Sequence, residues 1–189
     1  MHRAIRLLAH GTAVLGGIVL TGLVILTTLS ITGRSISKFL HLDGVQGVFG
    51  TLAQRLIDTG VGEVRGSYEL LEAGIAFAIF SFFPICQLYG AHATVDIFTS
   101  HLSARANRVI AAFWEVVLSA CLILISWRLF EGMERYIGNG ETTLFLQFPV
   151  WWAYLASFLA SLVTCIVAVY CAGVRLGECV TGRPLMPPA

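Results

Sequence analysis

The chain has 189 residues, of which 57% are hydrophobic and only 12% are charged, with a formal net charge of +1. A soluble domain carries about 25% charged residues, so this chain has too little charge to cover a water-facing surface. The balanced charge excludes a nucleic-acid-binding protein that works through a basic surface. The five cysteines all lie in or just after apolar runs, which excludes a secreted disulfide scaffold. The composition predicts an integral membrane protein with one domain over residues 1–189.

Four apolar runs follow one another along the chain: Leu7–Gly33, Ala73–Val95, Val109–Trp127 and Thr142–Val174. A bilayer core of about 30 Å requires about 20 helical residues, and only helices or closed barrels satisfy every backbone group in lipid. The runs are continuous rather than alternating, which favours helices. We therefore predict an all-α integral membrane protein with four transmembrane helices at about 7–33, 70–93, 107–130 and 149–174.

The first run follows His2, Arg3 and Arg6, a basic start that is also typical of a signal peptide. Its apolar part is about twice the usual length of a signal peptide, and no clear Ala-x-Ala cleavage site follows it. We interpret the run as a retained transmembrane helix.

The connection between the first two runs contains apolar residues at helical spacing, with polar residues on the other faces. The apolar residues are Val45, Val48, Phe49, Leu52, Leu56 and Ile57. This pattern predicts a short amphipathic interfacial helix at about 45–60, which would lie in the membrane interface, against a partner, or as a cap on its own bundle. The proline-rich end, at about 183–189, is predicted to be a disordered tail.

Positive residues usually favour the cytoplasmic side of a membrane protein. With the N-terminus inside, the inner segments carry Arg3, Arg6, Arg105, Arg108, Arg175 and Arg183, and the outer segments carry Arg34, Lys38, Arg55, Arg65, Arg128 and Arg135. The count is equal on the two sides, so it does not decide the orientation. The acid-rich outer connections only weakly favour an N-terminus in the cytoplasm.

Glu115 is the one acid clearly inside a predicted span, and an intramembrane carboxylate is by default a functional candidate. One interpretation is a proton or cation ligand. The other, which we favour, is an ion pair or hydrogen bond with a neighbouring helix, or a side chain that reaches towards the interface. The spans offer no second carboxylate for a proton relay.

Two histidines, His10 and His92, would lie on the same side of the membrane at helix ends. Imidazoles on neighbouring helices can ligate haem or a metal. A haem-binding four-helix membrane redox subunit is therefore the alternative function. No Gly-rich phosphate loop, Ser/His/Asp grouping or CxxC pair occurs, so the sequence predicts no enzyme, no catalytic or substrate-binding residue, no metal site and no cofactor.

The fourth run carries small residues at every fourth position: Ala156, Ala160, Thr164 and Ala168. Such a stripe lets helix backbones approach closely, and the first run has a weaker version in Ala13, Gly17 and Thr21. The stripe predicts a helix-packing interface, either with another membrane subunit or within the chain's own bundle.

The segment Gly66-Ser-Tyr-Glu69-Leu-Leu-Glu72 leads into the second helix, and the motif Gly90-x-His92-x-x-Val95-Asp96 follows Pro84 at its end. A later proline-then-aromatic segment contains Pro149 and Trp151. In this order and spacing, over roughly Gly66 to Arg175, the chain resembles the small permease subunit of tripartite ATP-independent periplasmic (TRAP) transporters, the DctQ-like family.

The resemblance implies a multi-pass protein of the bacterial cell inner membrane with both termini in the cytoplasm. Its partners would be a large TRAP permease subunit, a periplasmic substrate-binding protein and the lipid bilayer, with no nucleic acid. The large subunit would carry organic acids with sodium, and the small subunit would act as a fixed scaffold. The connection 34–69 is longer than is common in the family, so we expect its amphipathic segment to make a subtype-specific contact. We expect the motif residues to act as caps, packing positions or headgroup contacts, without touching substrate.

Overall fold

The computed structural model describes residues 2–42, 62–92 and 103–181. This part of the chain forms four α-helices, α1 (His2–Leu40), α2 (Ser67–Tyr89), α3 (Ala104–Asn139) and α4 (Trp151–Thr181), and contains no strand. Each helix is long and apolar enough to cross a membrane, so the prediction of an all-α protein with four candidate transmembrane helices is confirmed. The predicted amphipathic helix at about 45–60, Val95 and Asp96, and the predicted tail at about 183–189 lie outside the described residues.

α1 and α3 extend beyond their predicted spans at both ends, whereas α2 ends at Tyr89, before residue 93, and α4 begins at Trp151, after residue 149. α3 has 36 residues and is about 54 Å long at 1.5 Å per residue, whereas the bilayer core is about 30 Å thick. Its extra turns are polar, and Glu131 accepts hydrogen bonds from Trp127 Nε1 at 2.8 Å and Arg128 Nη1 at 2.7 Å. These i,i+3 and i,i+4 contacts support the helix beyond the apolar run. α3 ends at Gly140, whose φ of 65° is left-handed and whose N–H donates to Tyr136 O at 3.1 Å.

α1 and α2 are antiparallel and pack along faces with a seven-residue repeat. The face of α1 consists of the buried residues Ala9, Gly16, Leu23 and Ser30. Opposite them, in the same order, lie Leu88, Ser81, Gly74 and Ser67 of α2. A Cβ atom at Gly16 would lie 2.6 Å from Ser81 Cβ, so the close approach requires glycine. This spacing is the geometry of coiled-coil packing.

α3 and α4 are also antiparallel, and small polar side chains join them. Ser126 Oγ lies 2.9 Å from Ser161 Oγ, and Ser119 Oγ donates to Ala168 O at 3.1 Å. At the far end of α4, Cys179 Sγ lies 3.3 Å from a backbone oxygen of α3. Buried hydroxyls that find partners on a neighbouring helix hold membrane helices together.

The four helices form a row in the order α1, α2, α4, α3. Within the described residues, the backbone of α3 lies close to that of α4 and to no other helix, while α4 also packs against α2 and touches α1. In an apolar stretch of 18 consecutive residues from each helix, 44% of the residues are buried in α4 and 17–22% in the other three helices. α4 is therefore the central helix that positions the polar groups of its neighbours.

Candidate functional site

The polar side chains are concentrated at the two opposite ends of the helices. We call them the hairpin end, where α1 and α3 finish and α2 and α4 begin, and the termini end, where α1 and α3 begin and α2 and α4 finish. The hairpin end is defined by Leu40, Ser67, Asn139 and Trp151, and the termini end by His2, Tyr89, Ala104 and Thr181.

A proline between the two ends frees a backbone carbonyl in α2. Pro84 lacks an N–H, so Phe80 O, four residues earlier, loses its partner within the helix. Thr164 Oγ1 of α4 donates to Phe80 O at 2.9 Å and also lies 3.1 Å from Ala160 O of its own helix. Hydroxyls of neighbouring helices commonly satisfy such carbonyls in membranes. Pro84 and Thr164 are both fully buried, and the structure brings together two residues that the sequence identified for separate reasons.

The small-residue stripe of α4 lies mostly inside the chain. Ala160, Thr164 and Ala168 are buried, at 4%, 1% and 0% exposure, so their side chains face other helices of the same protein. Ala156 is half-buried and lines an apolar groove of about 680 Å³ with residues of α1 and α2. The weaker stripe of α1 is not the face that meets α2, because a Cβ at Gly17 would find nothing within 4 Å.

At the hairpin end, Glu69 fixes the connection between α3 and α4. Its carboxylate accepts the backbone N–H groups of Phe145 at 2.7 Å and Leu146 at 3.0 Å. Glu69 is in the first turn of α2, where the helix dipole favours an acid. One carboxylate therefore attaches the α3–α4 connection to the start of α2.

Gly66 supports the same contact by steric means. It adopts a φ of 77°, and a Cβ there would lie 2.5 Å from Leu146 Cγ. Only glycine combines this left-handed backbone with the close approach of a leucine side chain. Gly66 and Glu69 of the sequence motif, both at the start of α2, therefore contact the same loop, the α3–α4 connection.

The connection itself is a narrow turn that ends at α4. Thr142 and Pro149 form an isolated antiparallel bridge, and Trp152 N donates to Pro149 O at 3.1 Å. Trp151 is the first residue of α4, and its ring lies edge-on to that of Trp152, with centroids 6.0 Å apart. Tryptophan rings at a helix start are typical of the membrane interface.

A cleft of about 380 Å³ opens beside this connection, between α2, α3 and α4. Its polar lining residues are Glu69, Glu72, Tyr136, Glu141, Thr143, Tyr154 and Ser157. The sequence indicated Glu69 and Glu72 through the motif, but it did not indicate that Tyr136 and Glu141 lie beside them, since these two residues are far from the motif in the chain.

At the termini end, an amide bridges a histidine and the intramembrane acid. Gln87 Nε2 donates to Glu115 Oε1, and Gln87 Oε1 lies 2.9 Å from His92 Nε2, which donates to it. Gln87 is only 3% exposed. The structure therefore places Glu115 of α3 in a hydrogen bond with α2, although the backbones of these two helices are not neighbours.

Gly90 and Glu178 add to the termini end. Gly90 ends α2 with a φ of 59°, and its N–H points at Cys86 O and Gln87 O, so it acts as a C-cap. Glu178 is only 4% exposed and pairs with Arg175 at 3.2 Å. Glu178 was not identified from the sequence because it follows the predicted span. Its i,i+3 spacing from Arg175 is the pattern that could have indicated this ion pair.

The two histidines of the haem hypothesis have separate protein contacts. His10 Nδ1 lies 2.8 Å from Arg6 O, and its ring lies edge-on to Tyr89, whereas His92 contacts Gln87. Among the described residues, no group of three or more His, Cys, Asp or Glu could hold a metal ion. No observation on these residues favours the haem hypothesis over a transporter subunit.

A family model described as "Tripartite ATP-independent periplasmic transporters, DctQ component" matches residues 49–176, more than half of the chain. The matched part includes Glu69, the Pro84–Thr164 contact and Glu115. A comparison with curated proteins and one with solved structures each found no match. The motif resemblance is confirmed by the family match, and the chain belongs to the DctQ family, the small membrane subunit of TRAP transporters.

Proposed function

We propose that this chain is the fixed scaffold of a TRAP transporter that takes up organic acids with sodium. In this account a large permease subunit moves the substrate, a periplasmic binding protein delivers it, and the present chain braces the permease. The family match carries the proposal, because members of this family are components of such a transporter.

The contacts between the helices support a bracing role. Glu69 ties α2 to the α3–α4 connection, Thr164 ties α4 to α2, and Glu115 ties α3 to α2. These hydrogen bonds lie at the hairpin end, at the termini end and between the two. Each is directional, so together they fix the positions of the helices more strictly than apolar contact alone.

As part of the same proposal, the protein lies in the bacterial inner membrane with both termini in the cytoplasm. The hairpin end would then face the periplasm, where the binding protein approaches. Its tryptophans, Trp151 and Trp152, lie at the start of α4, as expected for residues at the headgroup level.

A pull-down with quantitative mass spectrometry tests the proposal. The tagged chain is extracted from its native membrane in a mild detergent, and we expect a large hydrophobic permease in near-equal amount. A chain that comes out alone, or with a Soret absorption band from haem, would contradict the scaffold function.

Reconstitution of the purified complex tests the transport chemistry. Vesicles that contain both membrane subunits should accumulate an organic acid only with the binding protein present outside and with an inward sodium gradient. The matched control is vesicles with the large subunit alone, which should take up substantially less. Equal uptake in the control would show that the large subunit does not need a scaffold.

A further inference from the structure

The cleft at the hairpin end has a strongly acidic lining that the scaffold function does not use. Glu72 and Glu141 line it together with Glu69, and within the described residues neither Glu72 nor Glu141 forms an ion pair. Arg135, next to Tyr136 in α3, is not among the lining residues, although its charge acts on Tyr154 at the edge of the cleft. The lining of the cleft therefore contains three acidic side chains and, within the described residues, no basic one.

A buried hydroxyl gives an independent indication of a ligand. Ser157 of α4 lines the cleft and is only 2% exposed. Its Oγ atom has no hydrogen-bond partner within the described part of the chain. A buried polar atom without a partner is unfavourable, so a polar group that enters the cleft and reaches Ser157 would remove this cost.

The other side chains of the cleft select the chemistry of that group. The rings of Tyr136 and Tyr154 lie with centroids 5.0 Å apart, and aromatic faces attract cations. Carboxylates accept several hydrogen bonds from a guanidinium or ammonium group. A metal ion is a poorer fit, because no described group of three ligands is close enough to hold one.

We propose that the cleft receives an arginine or lysine side chain of the large permease subunit, an inference that rests on the proposed function. Ser157 lies six residues inside α4, which is about 9 Å below the helix start. A partner that lies in the same membrane reaches this depth from the side. A phosphoethanolamine lipid also carries an ammonium group, but its phosphate would face three carboxylates, whereas a basic side chain brings no anion.

Co-purification of charge variants tests the inference. The tagged chain is expressed with its large subunit, and the double variant Glu72→Gln, Glu141→Gln is compared with Glu134→Gln, an exposed acid of α3 outside the cleft. We expect the double variant to retain about tenfold less large subunit, and Glu134→Gln to match the wild type. Raising the salt concentration should weaken the wild-type complex more than the double variant.

Two further variants keep the test independent of folding. Ser157→Ala should weaken the complex without lowering the melting temperature of the isolated chain, since the hydroxyl has no partner to lose within the described residues. A photo-crosslinking amino acid at Tyr154 should attach to a peptide of the large subunit beside an arginine or lysine. A crosslink to lipid or to the binding protein would overturn the inference.

The outcomes separate the inference from the proposed function. If the wild type retains the large subunit and both cleft variants retain it equally well, the cleft does not bind a basic side chain and the scaffold function stands. If the wild type itself retains no large subunit, both are overturned.

Discussion

The carbonyl of Phe80 depends on a hydroxyl from another helix, because Pro84 offers it no N–H. Replacing Thr164 with valine keeps the shape of the side chain and removes the donor. We expect a loss of about 1–2 kcal/mol in the free energy of unfolding, measured by denaturation in mixed micelles.

Two companion variants control the Thr164 experiment. Thr164→Ser retains the hydroxyl and should lose much less stability than Thr164→Val. In a Pro84→Ala background, the helix regains its own N–H, so Thr164→Val should cost less there than in the wild type. Equal losses for Thr164→Val and Thr164→Ser would contradict the assigned hydrogen bond.

Glu69 supplies the second residue-level prediction. Glu69→Ala removes the acceptor of the Phe145 and Leu146 N–H groups, so both amides should exchange with solvent faster. Hydrogen exchange followed by mass spectrometry of the peptide that covers 141–150 measures this. Glu134→Ala is the control, and equal exchange in the two variants would contradict the predicted attachment of the loop.

Among the helices, two adjacent glycines of α1 provide a matched pair. A Cβ at Gly16 would lie 2.6 Å from Ser81 Cβ, whereas a Cβ at Gly17 would meet nothing within 4 Å. Gly16→Ala should therefore separate α1 from α2 and destabilise the protein by about 1–3 kcal/mol. Gly17→Ala should be neutral or stabilising by up to about 1 kcal/mol, because alanine favours helix.

Thermal unfolding of the two purified variants is the measurement. The predicted order of melting temperatures is Gly17→Ala at or above the wild type and Gly16→Ala below it. The reverse order would mean that α1 presents the other face to α2.

The hydrogen bond between Gln87 and Glu115 at the termini end allows a prediction about α2 and α3 together. Gln87 and Glu115 contact each other across α2 and α3, so Gln87→Leu and Glu115→Leu should not have additive effects on stability. A double-mutant cycle should give a coupling energy of about 0.5–3 kcal/mol. Additive losses would show that the amide and the carboxylate act independently.

Hydrophobic periodicity could not predict which face of each helix packs against its neighbour. In a membrane helix nearly every face is apolar, so hydrophobic spacing does not distinguish the buried side. The face of α1 that meets α2 repeats every seven residues and contains Leu23 as well as Gly16, so a search for small residues at every fourth position selected Gly17 instead. Glu115 was found because a charge in a span is conspicuous, but its hydrogen bond with Gln87 of another helix could not be predicted.

For the whole molecule, length and composition were sufficient to predict four membrane-spanning helices, because the bilayer sets the length of an apolar helix. The order of the helices in the row could not be predicted, since it depends on contacts such as Phe80–Thr164 between residues distant in the chain. The cleft could not be predicted either, because its lining residues come from three helices and one connection.

The row of helices is consistent with the proposed role in the transporter. α1 and α3 form its two edges, and both carry many exposed apolar side chains. In a lipid bilayer such edges remain available to lipid or to a larger membrane protein. A fixed scaffold should keep its own shape while the permease beside it moves.

The distance between α1 and α3 during transport is the decisive measurement for a fixed scaffold. Spin labels are introduced as non-canonical amino acids at Leu15 of α1 and Leu124 of α3, which are 56% and 62% exposed. In the reconstituted complex, pulsed electron paramagnetic resonance should give one distance distribution that is unchanged by sodium, substrate and the binding protein. A second distance that appears when sodium and substrate are added would contradict the fixed scaffold.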